Sequence, residues 1–331
     1  MSIAVIGQGF VGGSLTTVMF ERGERVLVYD KAGKRAKGGI AEFSTAPPAP
    51  PRTPSSTVEF VQHCEKASDF SGIFFVCVPT PMYDDGTCDV SIVEEVLTEI
   101  ASAPRGTAGN NESKKSLRQR IAVVKSTVPP GSTQKWNEKF STTGMTVIFN
   151  PEFLTEAQAL DDMRNQDRII LGGLRPHIDR VRNVFTSAFP NVPIVKTSST
   201  TAEMVKYVTN CTLAVKVSLA NEFSQICTAL DEQGLNIDYD KVIEYAKLDR
   251  RIGVTHWSVP GPVPLESGEY ARGFGGHCFP KDINALIKVA QGCGVKPSVM
   301  LAAWEKNLEV RPPAHRDWER QVGRAVSRSK Q

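Results

Sequence analysis

The seven cysteines (Cys64, Cys77, Cys88, Cys211, Cys227, Cys278, Cys293) contain no CxxC pair and no zinc-ligand spacing. That absence removes a zinc framework from consideration, and no metal site is expected. An odd, scattered set fits reduced thiols in a cytosol-like compartment, where an exceptional cysteine is chemical rather than structural. Long apolar runs are also missing. The longest, Ile73 to Val78 (IFFVCV), is far too short to span a bilayer. Neither a charged segment nor an apolar stretch precedes the opening MSIAVIG, which reads directly as a strand, so no signal peptide is expected. A large excess of either charge is absent: 39 Lys/Arg against 36 Asp/Glu leave a net +3, too mild to argue for nucleic acid or a membrane surface, although a small anion suits it. There is no internal repeat. These absences together predict a soluble cytoplasmic protein with no nucleic-acid or membrane partner.

What is present is ordinary in amount and informative in order. At 331 residues, with 40% hydrophobic and 23% charged residues, the chain has material for two globular domains. Short apolar runs recur at 3–7, 26–30, 73–78, 121–125, 146–149, 169–173 and 193–195, with helix-length segments between most of them. Continuous Val/Ile-rich runs of this kind are what strands buried on both faces look like. The reading is α/β: a doubly wound parallel (Rossmann) sheet over 1–199. Two polar insertions, proline-rich 46–57 and 108–116, are expected as surface loops. Residues 202–231 then run without Gly or Pro and with apolar residues at helical spacing. They predict a helix of about 45 Å, the spine of a smaller helical domain over 200–308. Its apolar positions lie all round, which suits burial against a second copy, and a homodimer built on this helix is expected. Residues 309–331 carry six Lys/Arg against three Asp/Glu and two adjacent prolines, and are expected as a basic tail or short surface helix.

Gly7-Gln8-Gly9-Phe10-Val11-Gly12 fits the GxGxxG pattern between a strand and a helix. The first glycine permits the tight turn, the second lets backbone approach a pyrophosphate, and the third allows close helix–strand packing. Glycine-rich turns are common, so the context carries the assignment: the helix N-terminus offers N–H groups to phosphate, and Asp30 ends the second strand. An acid there accepts from a ribose 2′-hydroxyl and repels a 2′-phosphate. NAD is the expected cofactor, with Lys31 and Arg35 nearby tempering the preference.

Most cysteines are inert residues of the core, and Cys278 taken singly would be one of them. Its surroundings differ: Gly275-Gly276-His277-Cys278-Phe279-Pro280-Lys281-Asp282 leads into an apolar helical stretch. Pro280 suits a first helical turn, which puts Cys278 at the helix N-terminus with Lys281 close by. Both neighbours favour the thiolate.

The run GFGGHCFPKD (273–282) resembles the active-site cysteine motif of the UDP-glucose/GDP-mannose dehydrogenase family. VCVPTP (76–81), KSTVPPGST (125–133), NPEFLTEAQALDDMRNQDRIILGG (150–173), AEMVKYVTN (202–210) and DRRIG (249–253) resemble further family signatures, in the family's order. The resemblance implies two successive hydride transfers from the primary alcohol of a nucleotide sugar. Cys278 captures the aldehyde as a thiohemiacetal, and the second oxidation gives a thioester that water cleaves. It implies that Lys206 and Asn210, four apart on one helix face, stabilise the developing alkoxide. Asp282, with Lys206 or a water, is the expected proton acceptor of the first oxidation, and Glu152 the general base of the later steps. Thr127 is expected to position water or cofactor, and Glu156 to lie near the nicotinamide. Thr80, Pro81, Ser126 and Lys281 are expected around the cofactor, and Phe153, Leu154 and Gly275 around the sugar.

The family usually carries a further nucleotide-sugar-binding domain, for which residues 309–331 are too few. A compact UDP-glucose 6-dehydrogenase-like enzyme is the leading expectation. The alternatives are another sugar nucleotide (GDP-mannose, a UDP-N-acetylhexosamine), a smaller hydroxy acid, or an NAD-binding relative without turnover.

Overall fold

In a computed structural model of the chain, residues 2–31, 33, 57–61, 72–103 and 119–327 are described. The chain divides into two units, one of residues 1–80 and 90–206, the other of 81–89 and 207–331. Arg35 and nearly all of both polar insertions lie outside the described residues.

The first unit is built on eight strands: β1 (Ser2–Ile6), β2 (Arg25–Tyr29), β3 (Thr57–Phe60), β4 (Ile73–Val76), β5 (Arg120–Val124), β6 (Met145–Phe149), β7 (Ile169–Gly172) and β8 (Ile194–Thr197). Their order is β3-β2-β1-β4-β5-β6-β7-β8, the doubly wound pattern expected. β4, β5 and β6 are buried along their whole lengths, which is why the sequence shows continuous rather than alternating apolar runs there. Successive side chains point to opposite faces and feed two separate cores. Ile3, Val5, Phe75, Ile121 and Val123 pack with α1 (Phe10–Glu21), α4 (Ala159–Arg164) and α5 (His177–Ala188). Ala4, Ile6, Phe74, Ala122 and Val124 pack with α2 (Ser91–Ser102) and α3 (Ser132–Lys139).

Two features depart from the sequence reading. β7 pairs antiparallel with β6, Phe149 opposite Gly172, and β8 follows β7 in parallel, so the last two strands run against the rest. A run of apolar residues reports that a strand is buried and says nothing of its direction. β3 follows the proline-rich segment and was not foreseen, because a short half-exposed edge strand has too few apolar positions to register.

In the second unit, α6 (Ser199–Glu232) supplies the long spine from Tyr207 onward. Tyr207, Cys211 and Ala214 pack against Phe274 and the apolar faces of α8 (Phe279–Gly292) and α9 (Ser298–Val310). α7 (Tyr239–Ala246) adds Ile243 to a small cluster with Ala220 and Trp257. The segment read as a basic tail is folded into this unit. Trp318, in α10 (Asp317–Arg320), is 2% exposed and packs with Met82, Trp304 and Ala325. Met82 donates its N–H to Ala325 at 2.9 Å and accepts from Ser327 at 2.7 Å. Trp318 buries a large apolar surface and Arg311 is paired with Asp317, neither of which a count of charges reveals. Among the described residues, no helix is long and apolar enough to cross a membrane.

Candidate active site

The cofactor turn grows out of β1. Gly7 sits at φ +88, a left-handed conformation that favours glycine, and a Cβ there would lie 2.6 Å from the Cys77 carbonyl oxygen. At Gly12 a Cβ would lie 1.9 Å from the Gly7 oxygen. Gly9 is different: it caps α1, and a Cβ there would meet nothing within 4 Å. So two glycines are forced by packing and the middle one faces open space, as close approach of a pyrophosphate requires. The first turn of α1 has no acidic residue and no side-chain cap, and its positive dipole end favours an anion. The turn therefore fits NAD. Asp30 follows β2 and accepts the Gln8 N–H at 2.7 Å, bracing the turn from the adjacent strand. Phe10 and Val11 open α1, and Val11 packs on the core beneath it.

Thr80 follows β4, while Ser126 and Thr127 follow β5, all at C-terminal strand ends where ligands bind in open α/β sheets. The Ser126 hydroxyl donates to the Val78 carbonyl at 2.6 Å and Thr127 is buried. Pro81 belongs to the second unit, where its carbonyl accepts the Asp89 N–H at 2.7 Å. Glu156 stands exposed on the single turn Glu156–Gln158.

Deeper in the first unit lies a cluster of charge. Glu152 and Lys206 are both buried, with Oε1 and Nζ 3.0 Å apart, and the same Nζ donates to the Glu152 backbone carbonyl at 2.7 Å. The other carboxylate oxygen accepts the Leu154 N–H at 2.8 Å, so this sugar-contact candidate has its amide engaged. Burial works against the Glu152 carboxylate, yet Lys206, the Leu154 amide and Lys125 together hold its pKa below the usual range. The Phe153 ring carries the Arg168 guanidinium at 4.2 Å and the Lys206 ammonium at 5.7 Å. Lys125, to which the sequence reading gave no role, is buried and donates to Asn150 Oδ1 at 2.8 Å. Burial depresses its pKa, with Cys77 and Glu152 opposing. Glu203, one turn before Lys206 on α6, accepts the N–H groups of Gly131 and Thr133 at 2.6 and 2.8 Å. It thereby anchors the 125–133 loop, and no sequence signal pairs residues some seventy positions apart.

The second unit holds the thiol. Cys278 is the N-cap residue of α8, half-buried, with Pro280 in the first turn as expected. The Asp282 N–H donates to its carbonyl at 3.0 Å. Asp282 is 1% exposed and gathers the expected residues: Lys281 Nζ lies 2.6 Å from Oδ1 and Asn210 Nδ2 2.6 Å from Oδ2. Burial opposes the Lys281 ammonium, but Asp282 first and Cys278 second raise its pKa. That coupling is mutual, so the ammonium favours a Cys278 thiolate. Other thiols are disfavoured as anions: burial pushes Cys77 up to about 12 and Cys88 up to about 11.

Gly275, expected near the sugar, is explained by packing. A Cβ there would lie 2.3 Å from both Arg311 Nη2 and Asp317 Oδ1. These two residues and Asn307 carry no assignment from the sequence, because the glycine loop they hold lies more than thirty positions away.

Residues 1–188 match the NAD-binding domain of the UDP-glucose/GDP-mannose dehydrogenase family, and residues 200–309 match its central domain. The UDP-glucose 6-dehydrogenase AglM of Haloferax volcanii is 30% identical, over 93% of this chain and 69% of its own. The UDP-glucose 6-dehydrogenase TuaD of Bacillus subtilis is also 30% identical, over 93% of this chain and 63% of its own. Among solved structures, a UDP-glucose dehydrogenase from Pyrobaculum islandicum aligns with a TM-score of 0.74 at 28% identity, over 93% of this chain and 68% of that one. The chain thus spans about two thirds of the length of these relatives. Two domains of one family, matched in order across nearly all of the described residues, lead to a single conclusion: the chain belongs to the UDP-glucose/GDP-mannose dehydrogenase family.

Proposed function

We propose that this chain oxidises the primary alcohol of a nucleotide sugar to the carboxylate, UDP-glucose to UDP-glucuronate, with NAD as oxidant and Cys278 as covalent catalyst. The observation that carries the reading is Cys278 itself, a half-buried cysteine capping α8 beside a buried Lys281–Asp282–Asn210 cluster. A single oxidation of a hydroxy acid needs no thiol at a helix N-terminus; capture of an aldehyde does. The relatives named UDP-glucose 6-dehydrogenase support the choice of substrate.

NAD, when bound, accepts the hydride in each of two oxidations. The first removes a hydride from the alcohol carbon and its hydroxyl proton. Asp282 takes that proton, directly or through a water, while Lys206 and Asn210 stabilise the alkoxide. The Cys278 thiolate then adds to the aldehyde carbon, the carbonyl π pair moves to oxygen, and that oxygen takes a proton. Loss of the second hydride from the same carbon, with the proton returned from oxygen, leaves a thioester. Water adds to the thioester, the carbon–sulfur bond breaks, and the thiolate leaves. Glu152, held low in pKa, is ionised at neutral pH and suits the base of these later steps. Thr127 positions the water, and Gly7, Gly9, Gly12, Asp30, Thr80 and Ser126 hold the cofactor. The active form is a cytoplasmic homodimer. Val208, Leu219, Phe223 and Ile226 support it, lying exposed along one stripe of α6 without a partner in the chain's own core.

The test is NADH production with UDP-glucose by the wild-type protein and by Cys278→Ser, with other nucleotide sugars in parallel. Two NADH per sugar oxidised, with net turnover lost in the variant, is the expected result. NAD binding without NADH from any nucleotide sugar would overturn it.

A further inference from the structure

The loop that delivers Cys278 has few side chains of its own to hold it. Its sequence, Arg272-Gly273-Phe274-Gly275-Gly276-His277, contains three glycines, and two of them, Gly273 and Gly276, have φ +68 and +69. Such a segment has a large conformational entropy to lose, so something else must fix it. Three side chains from a single stretch of chain do so. Asn307, near the end of α9, accepts the Phe274 N–H at 2.7 Å and donates to the Phe274 carbonyl at 3.1 Å. Arg311 donates to the Arg272 carbonyl at 3.0 Å and to the His315 carbonyl at 2.8 Å. Its Nη2 lies 2.8 Å from Asp317 Oδ1. The other oxygen of Asp317 accepts the Gly276 N–H at 2.9 Å, two residues before the thiol. Arg311 is 5% exposed, and its guanidinium lies 5.8 Å from the ring centroid of buried Trp318.

We infer that Arg311 and Asp317 are positioning residues for Cys278, a clamp that fixes the glycine loop so that the thiol meets the aldehyde before it escapes. The inference rests on the reading of Cys278 as the covalent catalyst. Neither residue has a role at the reacting atoms; both act through the backbone at Arg272 and Gly276. The paired charges matter because a buried arginine and a half-buried carboxylate define one geometry, where a lone amide would leave several. The glycine at 275 belongs to the device, since any side chain there would stand where the ion pair stands.

The consequence separates the two oxidations. The first needs the alcohol and NAD but no thiol, whereas the second needs the thiol within bonding distance of the aldehyde carbon. A loosened clamp leaves the first step running and lets aldehyde leave. The variants are Asp317→Asn, Arg311→Lys and Gly275→Ala, the last of which pushes on the ion pair without changing a charge. Three measurements are made on each: the melting temperature, the NADH formed per UDP-glucose consumed with semicarbazide present to trap aldehyde, and the rate of Cys278 alkylation by iodoacetamide as a function of pH, read by peptide mass. Expected for the folded variants are a stoichiometry falling from two NADH toward one, trapped aldehyde, and second-step turnover lower by on the order of tenfold to a hundredfold. The alkylation profile moves as well, and Arg311→Lys is the mildest of the three. A purely structural role would shift the melting temperature and leave stoichiometry and alkylation as in wild type, and that result in the folded variants would overturn the inference. If the wild-type protein oxidises no nucleotide sugar, the covalent reading fails by itself. The alkylation profile still decides whether the clamp sets the environment of the thiol.

Discussion

Among the described residues, each unit buries one carboxylate against a lysine, and the two pairs are arranged differently. In the first, Glu152 faces Lys206 at 3.0 Å, and a second buried ammonium, Lys125, contributes to its field. In the second, Asp282 faces Lys281 at 2.6 Å and has its other oxygen on the neutral amide of Asn210. The first cluster holds two cations for one anion; the second balances until Cys278 ionises. The lysines answer accordingly: burial drives the Lys125 pKa down, whereas Asp282 and Cys278 drive that of Lys281 up against burial. An excess of positive charge suits a group that must meet a developing oxyanion. A balanced pair suits a site where a thiolate is the charge to be gained.

The largest effect should come from breaking the balanced pair. Lys281→Met leaves the Asp282 carboxylate, 1% exposed, with one amide as its side-chain partner. Removing one member of a buried ion pair typically costs about 3–5 kcal/mol. The expected readout is a lower urea midpoint with unchanged m value, together with slower alkylation of Cys278. A variant as stable as wild type would mean that Asp282 takes up a proton or reaches water, and that the pair is not balanced as described. Asn210→Ala removes the weaker partner and should cost less, about 1–3 kcal/mol for a hydrogen bond to a charged group.

Acid sharpens the comparison on the other side. Glu152 has its pKa lowered in the folded state, so its contribution to stability is fully present above the unfolded value near 4.5 and is lost as pH falls below it. Lys281 has its pKa raised, so its contribution is present below 10.5 and is lost as pH rises beyond that value. The two clusters should therefore fail at opposite ends of a pH-dependent melting curve. Glu152→Gln is expected to flatten the acid limb and leave the alkaline limb in place. Loss of both limbs together would show that the two ion pairs share one fate.

How much of this was legible in the sequence depends on the distance over which each residue acts. The cofactor turn was readable because the tight turn, the open glycine and the close-packed glycine fall within six residues, with Asp30 closing the pattern at the next strand end. Strand positions were readable as buried runs, but the reversal at β7 was not, since Phe149 and Gly172 pair across a connection that leaves no directional mark. Asp282, Lys281 and Asn210 were named as candidates from motif resemblance. That Asp282 holds both of the others had to come from the structure. Arg311 and Asp317 were read as part of a basic tail because composition counts charges without showing which are paired. Lys125 opens the KSTVPPGST segment, but a lysine after a buried strand reads as solvated unless its neighbours are known.

Lys125 gives the smallest expected change in stability and the sharpest comparison between the clusters. Its pKa is lowered in the folded protein, so the buried ammonium is a burden at neutral pH, relieved as pH rises toward the unfolded value of 10.5. Lys125→Met removes that burden. It also strips buried Asn150 Oδ1 of its donor at 2.8 Å, a loss of about 1–3 kcal/mol that works against the gain. The two effects oppose each other, so the urea midpoint should move little. Turnover should move, because the cluster would then hold one cation for one anion, as the second unit does. If the excess charge serves the alkoxide, kcat for the first oxidation falls while NAD affinity and the alkylation of Cys278 stay as in wild type. If kcat is unchanged, the second ammonium is no part of the catalytic field, and Lys206 carries that role alone. A large loss of stability would instead make Lys125 a structural lysine, its charge needed to hold Asn150 and the end of β6 in place.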